Sequence, residues 1–225
     1  LQGKKVLVTA GPTREPIDPV RFMSNYSSGK MGYEIAIAAK KMGAYVKVIS
    51  GPVSLEPIKD MEIEYVETSD EMYNAVMSNI ERFDVLISTA AIADYKPLNY
   101  SLNKYKKSEK DISIKFTRGV DIISTVSSKY DNIYTVGFAA ETHSLNKNAI
   151  QKLQKKNLNM VIGNIANHEL KLGFESDFNE VTIFSKKQTI ELPKAKKSDI
   201  ARSILEVITD ELSSNQMRLV NKDVK

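Results

Sequence analysis

The stretch KKVLVTAGPTREPIDPVRFMSNYSSGKMG, Lys4 to Gly32, decides how the rest of the chain is read. It opens on an unbroken apolar run, Val6-Leu7-Val8, that stops at Gly11-Pro12. Continuous apolar, β-branched runs mark strands of a parallel sheet covered on both faces, because no side chain there meets water. The stretch closes on Ser27-Ser28-Gly29-Lys30-Met31-Gly32, after which EIAIAAKKMGA places apolar residues at helical spacing. The loop between carries prolines, Arg14, Arg21, Asp18 and Asn25. Strand-to-helix loops usually take about 2–6 residues, and longer ones tend to bind something. A helix N-terminus offers unpaired N–H groups and the positive end of a dipole. With two arginines beside it, the loop is suited to an anionic ligand.

Neither common glycine motif explains it. A dinucleotide fingerprint needs G-x-G-x-x-G directly after the strand, and Gly11 is followed by Pro12. A P-loop ends in G-K-[ST] with a Gly five residues earlier; here Ser24 and Met31 stand at the required positions.

The chain then alternates. AYVKVIS (44–50) and MEIEYVE (61–67) read as strands, and Thr68-x-x-Glu71 as a capping box opening a helix. DVLIST (84–89) is a further buried strand. This rhythm predicts an α/β fold, a Rossmann-like doubly wound and mostly parallel sheet. Ligands of such sheets sit beyond the carboxyl ends of the strands, so the loops after Thr9 and Thr89 should face each other across one crevice. The polar segment Tyr95–Glu109 reads as a mobile flap, ISIKF (112–116) as a strand, and Asp121 as the cap of IISTVSSK. IYTVGFAAE (133–141) is a strand, Ser144 starts a helix that sets Lys152 and Lys156 on one face, and MVIGN (160–164) follows. A hairpin EVTIF/QTIEL and a helix over 198–212 complete a single domain, 1–212, before a polar, frayed tail, 213–225.

Composition narrows the class. The 225 residues include no cysteine, which excludes disulfides and thiolate chemistry, and two distant histidines, which make no metal site. No apolar run approaches the ~20 residues of a membrane span, and no signal peptide pattern is present. The net charge of +4 and pI near 9.0 come from lysine clusters, of which 186–187 and 194–197 read as solvated surface. Without an aromatic platform or a recognised module, nucleic-acid binding is disfavoured. A nicotinamide-dependent oxidoreductase rests on fold analogy alone. The start at Leu1 points to a piece of a longer protein.

The residues also resemble a family. Gly11-Pro12-Thr13-Arg14-Glu15-Pro16-Ile17-Asp18-Pro19-Val20-Arg21-Phe22 and Ser24-Asn25-Tyr26-Ser27-Ser28-Gly29-Lys30-Met31-Gly32 closely resemble phosphopantothenoylcysteine synthetases, as found in the second half of bacterial bifunctional coenzyme A biosynthesis proteins. The likeness continues through Ala90–Tyr95, Lys104–Lys107, Val136–Thr142 and Gly173–Asn179. It implies a cytoplasmic ligase that joins 4'-phosphopantothenate to cysteine, using CTP and Mg2+ through an acyl-cytidylate. It also implies a homodimer, and a flavin-dependent decarboxylase fused ahead of this region. Neither a membrane nor a nucleic acid is involved, and no metal ligand is assigned.

The resemblance assigns roles by position. Asn25 and Lys104 would be catalytic, Asn25 orienting the activated carbonyl through its amide and Lys104 stabilising charge on the triphosphate. Without it, Asn25 reads as a turn residue and Lys104 as a solvated lysine. Arg21, Ala90, Ala91 and Asp94 would join Asn25 in holding phosphopantothenate, Arg21 from the neighbouring subunit; an Arg21–Asp18 surface pair is the plainer reading. Ser88, Thr89, Ala90, Asp94, Lys104, Val120, Asp121, Ile122, Ile123, Phe138, Lys152 and Lys156 would hold the nucleotide, although lysines on one helix face are also simply solvated. Gly119-Val120 stands where relatives commonly have Asn-Pro.

Overall fold

The computed structural model describes residues 1–107, 111–165 and 176–220, the last six by backbone alone. In chain order the elements are β1 (Lys5–Ala10), β2 (Glu15–Pro16), β3 (Phe22–Met23), α1 (Lys30–Lys41), β4 (Tyr45–Ser50), β5 (Glu62–Tyr65) and α2 (Ser69–Asn79). After them come β6 (Val85–Ser88), β7 (Tyr95–Pro97), β8 (Phe116–Arg118), α3 (Ile122–Lys129), β9 (Tyr134–Glu141) and α4 (Leu145–Lys155). The last are β10 (Met160–Ile165), β11 (Phe178–Ser185), β12 (Thr189–Lys196) and α5 (Lys197–Val220).

The main sheet has eight strands in the order β12-β11-β10-β9-β6-β1-β4-β5. From β10 to β5 neighbours run parallel, and β11 and β12 add an antiparallel hairpin at the edge. This is the α/β class the sequence predicted. The apolar runs in β1 and β6 are buried because both faces are covered. Val6, Val8 and Val48 pack with α1 and α5, whereas Leu7, Leu86 and Ile49 pack with α2, α3 and α4. From β1 the chain winds outward to β4 and β5, then returns to β6 on the other side of β1. The switch point therefore lies between β1 and β6, where a doubly wound sheet opens for ligands.

Local signals set several boundaries. Thr68 and Glu71 form the expected capping box, and the Asp121 carboxylate accepts from the Ser124 N–H at 3.1 Å. Ser144 precedes α4 in a left-handed conformation and caps nothing with its side chain.

Four expectations change. First, residues 112–115 are not a strand. Only Phe116–Arg118 pairs, against Tyr95–Pro97, with one further bond from Leu98 N–H to Lys115 O at 2.8 Å. Beyond Leu98 the partner chain turns away, and an apolar alternation without a partner cannot form a ladder. Second, the flap is tethered over its described part: Ser101 N–H donates to Ile17 O at 3.0 Å, and Tyr105 N–H to the Asp18 carboxylate at 3.1 Å. Third, the last helix does not stop at Leu212 but runs to Val220, so 213–220 is helical backbone rather than a frayed tail. Fourth, Lys197 is not solvated: it is only 3% exposed. His168, Gly173 to Glu175, Ser108–Glu109 and residues 221–225 lie outside the described residues. Among the described residues, no helix is long and apolar enough to cross a membrane.

Candidate functional site

The loops after β1 and β6 do not face each other across open space. Ala91 N–H donates to Gly11 O at 2.9 Å and Thr13 N–H to Ala91 O at 3.2 Å. The buried Thr13 hydroxyl accepts from Ala93 N–H at 3.0 Å. This seam forms one lip of the sheet's opening. Two cavities sharing a wall lie beyond the strand ends beside it.

The smaller cavity, about 130 Å³, is lined by Ser88, Ala90 and Asp94 after β6, by Val120, Asp121, Ile122 and Ile123 at the start of α3, and by Phe138, Lys152 and Lys156. All the residues assigned to the nucleotide are therefore here except Thr89 and Lys104. Gly137, under Phe138, is tightly packed: a Cβ there would lie 2.9 Å from Leu158 Cδ1 and 3.3 Å from Ile123 Cδ1. The Lys152 ammonium donates to Phe138 O at 2.5 Å. Burial, and then repulsion from Lys156, lowers its pKa. Lys156 in turn pairs with Asp121 at 2.6 Å. An aromatic side chain, small residues and two ammonium groups suit a flat, anionic ligand.

The larger cavity, about 250 Å³, lies on the α1 side. Ser27 to Gly32 line it, with Thr89, Ala90, Ala91, Ile92 and Asp94. Across from these residues stand Phe138, Ala140, Lys152, Asn164, Asn179 and Lys197. Ala90, Ile92, Asp94, Phe138 and Lys152 are common to both cavities. Close approach of α1 to the strands depends on Gly32, whose Cβ would fall 2.4 Å from Thr89 Oγ1 and 2.7 Å from Ala10 Cβ. The N-terminus of α1 thereby borders this space, with Gly29 in a left-handed conformation just ahead of it.

Three assigned residues line neither cavity. Asn25 donates to Ala91 O at 2.5 Å and accepts from Ser27 N–H at 3.0 Å, so its amide stitches the seam to the α1 loop. Arg21 pairs with Asp18 at 2.5 Å and reaches Tyr105 O at 3.2 Å, which is the plain ion-pair reading. Lys104 is exposed on the neighbouring segment. Burial raises the Asp18 carboxyl, but hydrogen bonds from Val20 N–H, Tyr105 N–H and Arg21 outweigh it and hold the group at about 2.

Sequence reasoning missed Asn164, Asn179 and Lys197. For Lys197 a signal existed: with Ile200, Ala201, Ile204, Leu205 and Ile208, all buried, it falls on one helical face.

Residues 1–212 match the family described as DNA/pantothenate metabolism flavoprotein C-terminal domain. The chain belongs to that family. It is 42% identical over 211 residues to the coenzyme A biosynthesis bifunctional protein CoaBC of Vibrio vulnificus, covering 92% of this chain and 52% of that protein. The chain thus spans about half the length of such relatives. Among solved structures, the C-terminal domain of a CoaBC protein superposes with a TM-score of 0.81 at 41% identity, over 95% of this chain and 98% of that one. A mutant Cab2 complex with phosphopantothenate-cysteine has a TM-score of 0.78 over 95% of this chain and 89% of that one, and at 17% identity shares the fold.

Proposed function

We propose that this chain joins 4'-phosphopantothenate to cysteine, using CTP. A carboxylate oxygen of phosphopantothenate attacks the α-phosphorus; the bond to the β-phosphate breaks and pyrophosphate leaves. The cysteine amine then attacks the acyl carbon and loses a proton, and CMP departs with the oxygen that came from the carboxylate. The observation that carries this reading is the shared wall. Residues assigned to the nucleotide line the smaller cavity, Ala91 and the α1 loop line the larger, and Ala90 and Asp94 belong to both.

In this reading Phe138 packs on the base, Lys152 and Lys156 meet its polar edge and the phosphates, and the α1 N-terminus receives negative charge. Asn25 exchanges Ala91 O for the activated carbonyl, and Lys104 serves once its segment closes over the site. Among the described residues no cluster of three or more His, Asp or Glu side chains converges on a metal position. A magnesium ion carried mainly by phosphate oxygens needs only one or two protein carboxylates, and Asp94 is the one both cavities share. When bound, the ion would neutralise charge on the triphosphate.

The proposed assembly is a homodimer. Val20, Phe22, Leu98, Tyr100, Leu102 and Phe116 are exposed on and around the two small sheets, an apolar surface suited to a second copy. Arg21 lies in the same region and would reach the partner's phosphopantothenate. A fused flavin-dependent decarboxylase in the full-length protein rests on the family resemblance, and the CoaBC relatives, about half of whose length this chain spans, are long enough to hold a further domain. The cytoplasmic setting rests on the family resemblance.

Isotope transfer tests the chemistry. Phosphopantothenate labelled with 18O in its carboxylate should pass one label to CMP. Label in inorganic phosphate, with CDP as co-product, would mean an acyl phosphate and would overturn the reading.

A further inference from the structure

The floor of the larger cavity has a composition that the nucleotide and phosphopantothenate do not require. It is built where three adjacent strands meet the opening: Ala140 on β9, Asn164 beside it in register on β10, and Asn179 on β11. Lys197 joins them as the first residue of α5, directly after β12. Asn164 and Asn179 are each 8% exposed and Lys197 is 3% exposed. Asn164 continues the fully buried Met160, Val161 and Ile162, where an apolar residue would satisfy the packing. Its side chain lines the cavity. The Asn179 carbonyl accepts from Glu180 N–H at 3.1 Å. Buried amide and ammonium groups are placed where they meet a hydrogen-bonding partner, and these line the cavity.

We propose that Lys197 and Asn164 bind the amino-acid substrate, the ammonium of Lys197 holding its α-carboxylate and the amide oxygen of Asn164 accepting from its α-amine. This rests on the ligase reading above and deepens it. The arrangement fits an α-amino acid better than a second polyphosphate. Of the three lysines lining this cavity, Lys152 stands on the wall shared with the nucleotide and Lys30 pairs with Asp177. Lys197 on the floor matches one carboxylate, and an amide oxygen accepts from an amine but repels phosphate oxygens. The location fits as well, because the amine must reach a face of the acyl carbonyl while the nucleotide is still attached, and so needs space beside the nucleotide's own. The nucleotide residues line the smaller cavity, and the Asn164–Lys197 floor belongs only to the larger.

The surroundings of Lys197 agree with an anion site. Its backbone N–H donates to Asp177 O at 2.9 Å, and the Asp177 carboxylate pairs with Lys30 at 2.7 Å. Burial, followed by repulsion from Lys30, pulls the Lys197 ammonium down to about 8, with Asp177 and Glu34 acting in the opposite sense. At neutral pH the group is still mostly protonated. A bound carboxylate would stabilise that charge.

The test compares cysteine with cysteamine, which lacks the carboxylate, in the parent chain, Lys197→Met and Asn164→Ala. The parent should favour cysteine strongly in kcat/KM. Losing a charged hydrogen bond typically costs 10- to 100-fold. Lys197→Met should lose about that factor with cysteine and little with cysteamine, so that the preference collapses. Asn164→Ala should raise the KM for cysteine about 3- to 10-fold. Melting curves establish that each variant is folded. Pyrophosphate release from CTP and phosphopantothenate before cysteine is added is measured in the parent and in Lys197→Met; its absence in the parent would remove the ligase reading and the proposal with it. An unchanged cysteine-to-cysteamine ratio in Lys197→Met overturns the proposal. If pyrophosphate release is lost as well, the ammonium belongs to the phosphates.

Discussion

Replacing Lys152 with methionine should cripple nucleotide use without weakening the fold. The ammonium sits on α4 at the wall between the two cavities, bonded to Phe138 O. Burial and Lys156 lower its pKa, so the native state holds this proton less tightly than the unfolded chain does. The cost of the buried charge is therefore present below the folded pKa and is relieved as pH rises through it. Methionine keeps most of the stem and removes the charge, an exchange that is often neutral or stabilising. The unliganded melting temperature should move by no more than about 4 °C, roughly 1 kcal/mol for a chain of this size. A charged hydrogen bond to the ligand contributes about 1.5–3 kcal/mol, so the Kd for CTP should rise about 10- to 150-fold. At CTP equal to one hundred times the parent Kd, the parent gains about 2.7 kcal/mol. A variant weakened a hundredfold gains about 0.4 kcal/mol. Thermal melting with and without CTP reads both effects. A parent-sized shift in the variant would refute the placement of the nucleotide, and a large loss of stability without ligand would refute the argument from burial.

Three further outcomes are expected. Asn25→Asp removes the donor to Ala91 O and sets a carboxylate against that carbonyl; ligation should be lost while the CTP-induced melting shift persists, and parent-like ligation would return Asn25 to a turn residue. Gly32→Ala forces a Cβ to 2.4 Å from Thr89 Oγ1 and 2.7 Å from Ala10 Cβ, which should cost about 1–3 kcal/mol as overpacking; a melting temperature within 1 °C of the parent, on the order of a few tenths of a kcal/mol, would contradict it. Asp18, held at about 2, stabilises its loop above the ordinary carboxylate range, and that contribution fades as pH falls from about 4 toward 2. Asp18→Asn should therefore speed hydrogen exchange at the Tyr105 amide at neutral pH, and the parent should match it only in acid; equal protection at pH 7 would sink the tether.

Much of the framework could be read because its causes are local. Val6-Leu7-Val8 has one comfortable environment, and Thr68 with Glu71, or Asp121 with Ser124, closes bonds within four residues. The residues that the family resemblance assigns to the nucleotide mostly meet at one cavity, where the loop after β6, the start of α3, Phe138, Lys152 and Lys156 come together. What stayed hidden depends on distant partners. Strand order is fixed only by which edges meet. The residues of ISIKF needed a partner that turns away after Leu98. Asn164 gave no sign, because a polar residue at a strand end also reads as the start of a loop. Lys197 was obscured by the lysines before it, although its spacing to Ile200, Ala201 and Ile204 placed it on the inner face of α5.

The central claim is that this sheet opening carries out CTP-driven ligation, and product formation tests it most directly. The chain is incubated with phosphopantothenate, cysteine and either CTP or ATP, and phosphopantothenoylcysteine is followed by mass spectrometry alongside pyrophosphate. The account predicts ligated product only when all three substrates are present, one pyrophosphate per product beyond the single equivalent that the enzyme releases before cysteine is added, and a higher kcat/KM with CTP than with ATP. Nucleotide consumption without the ligated product, or no reaction from folded protein, would contradict it.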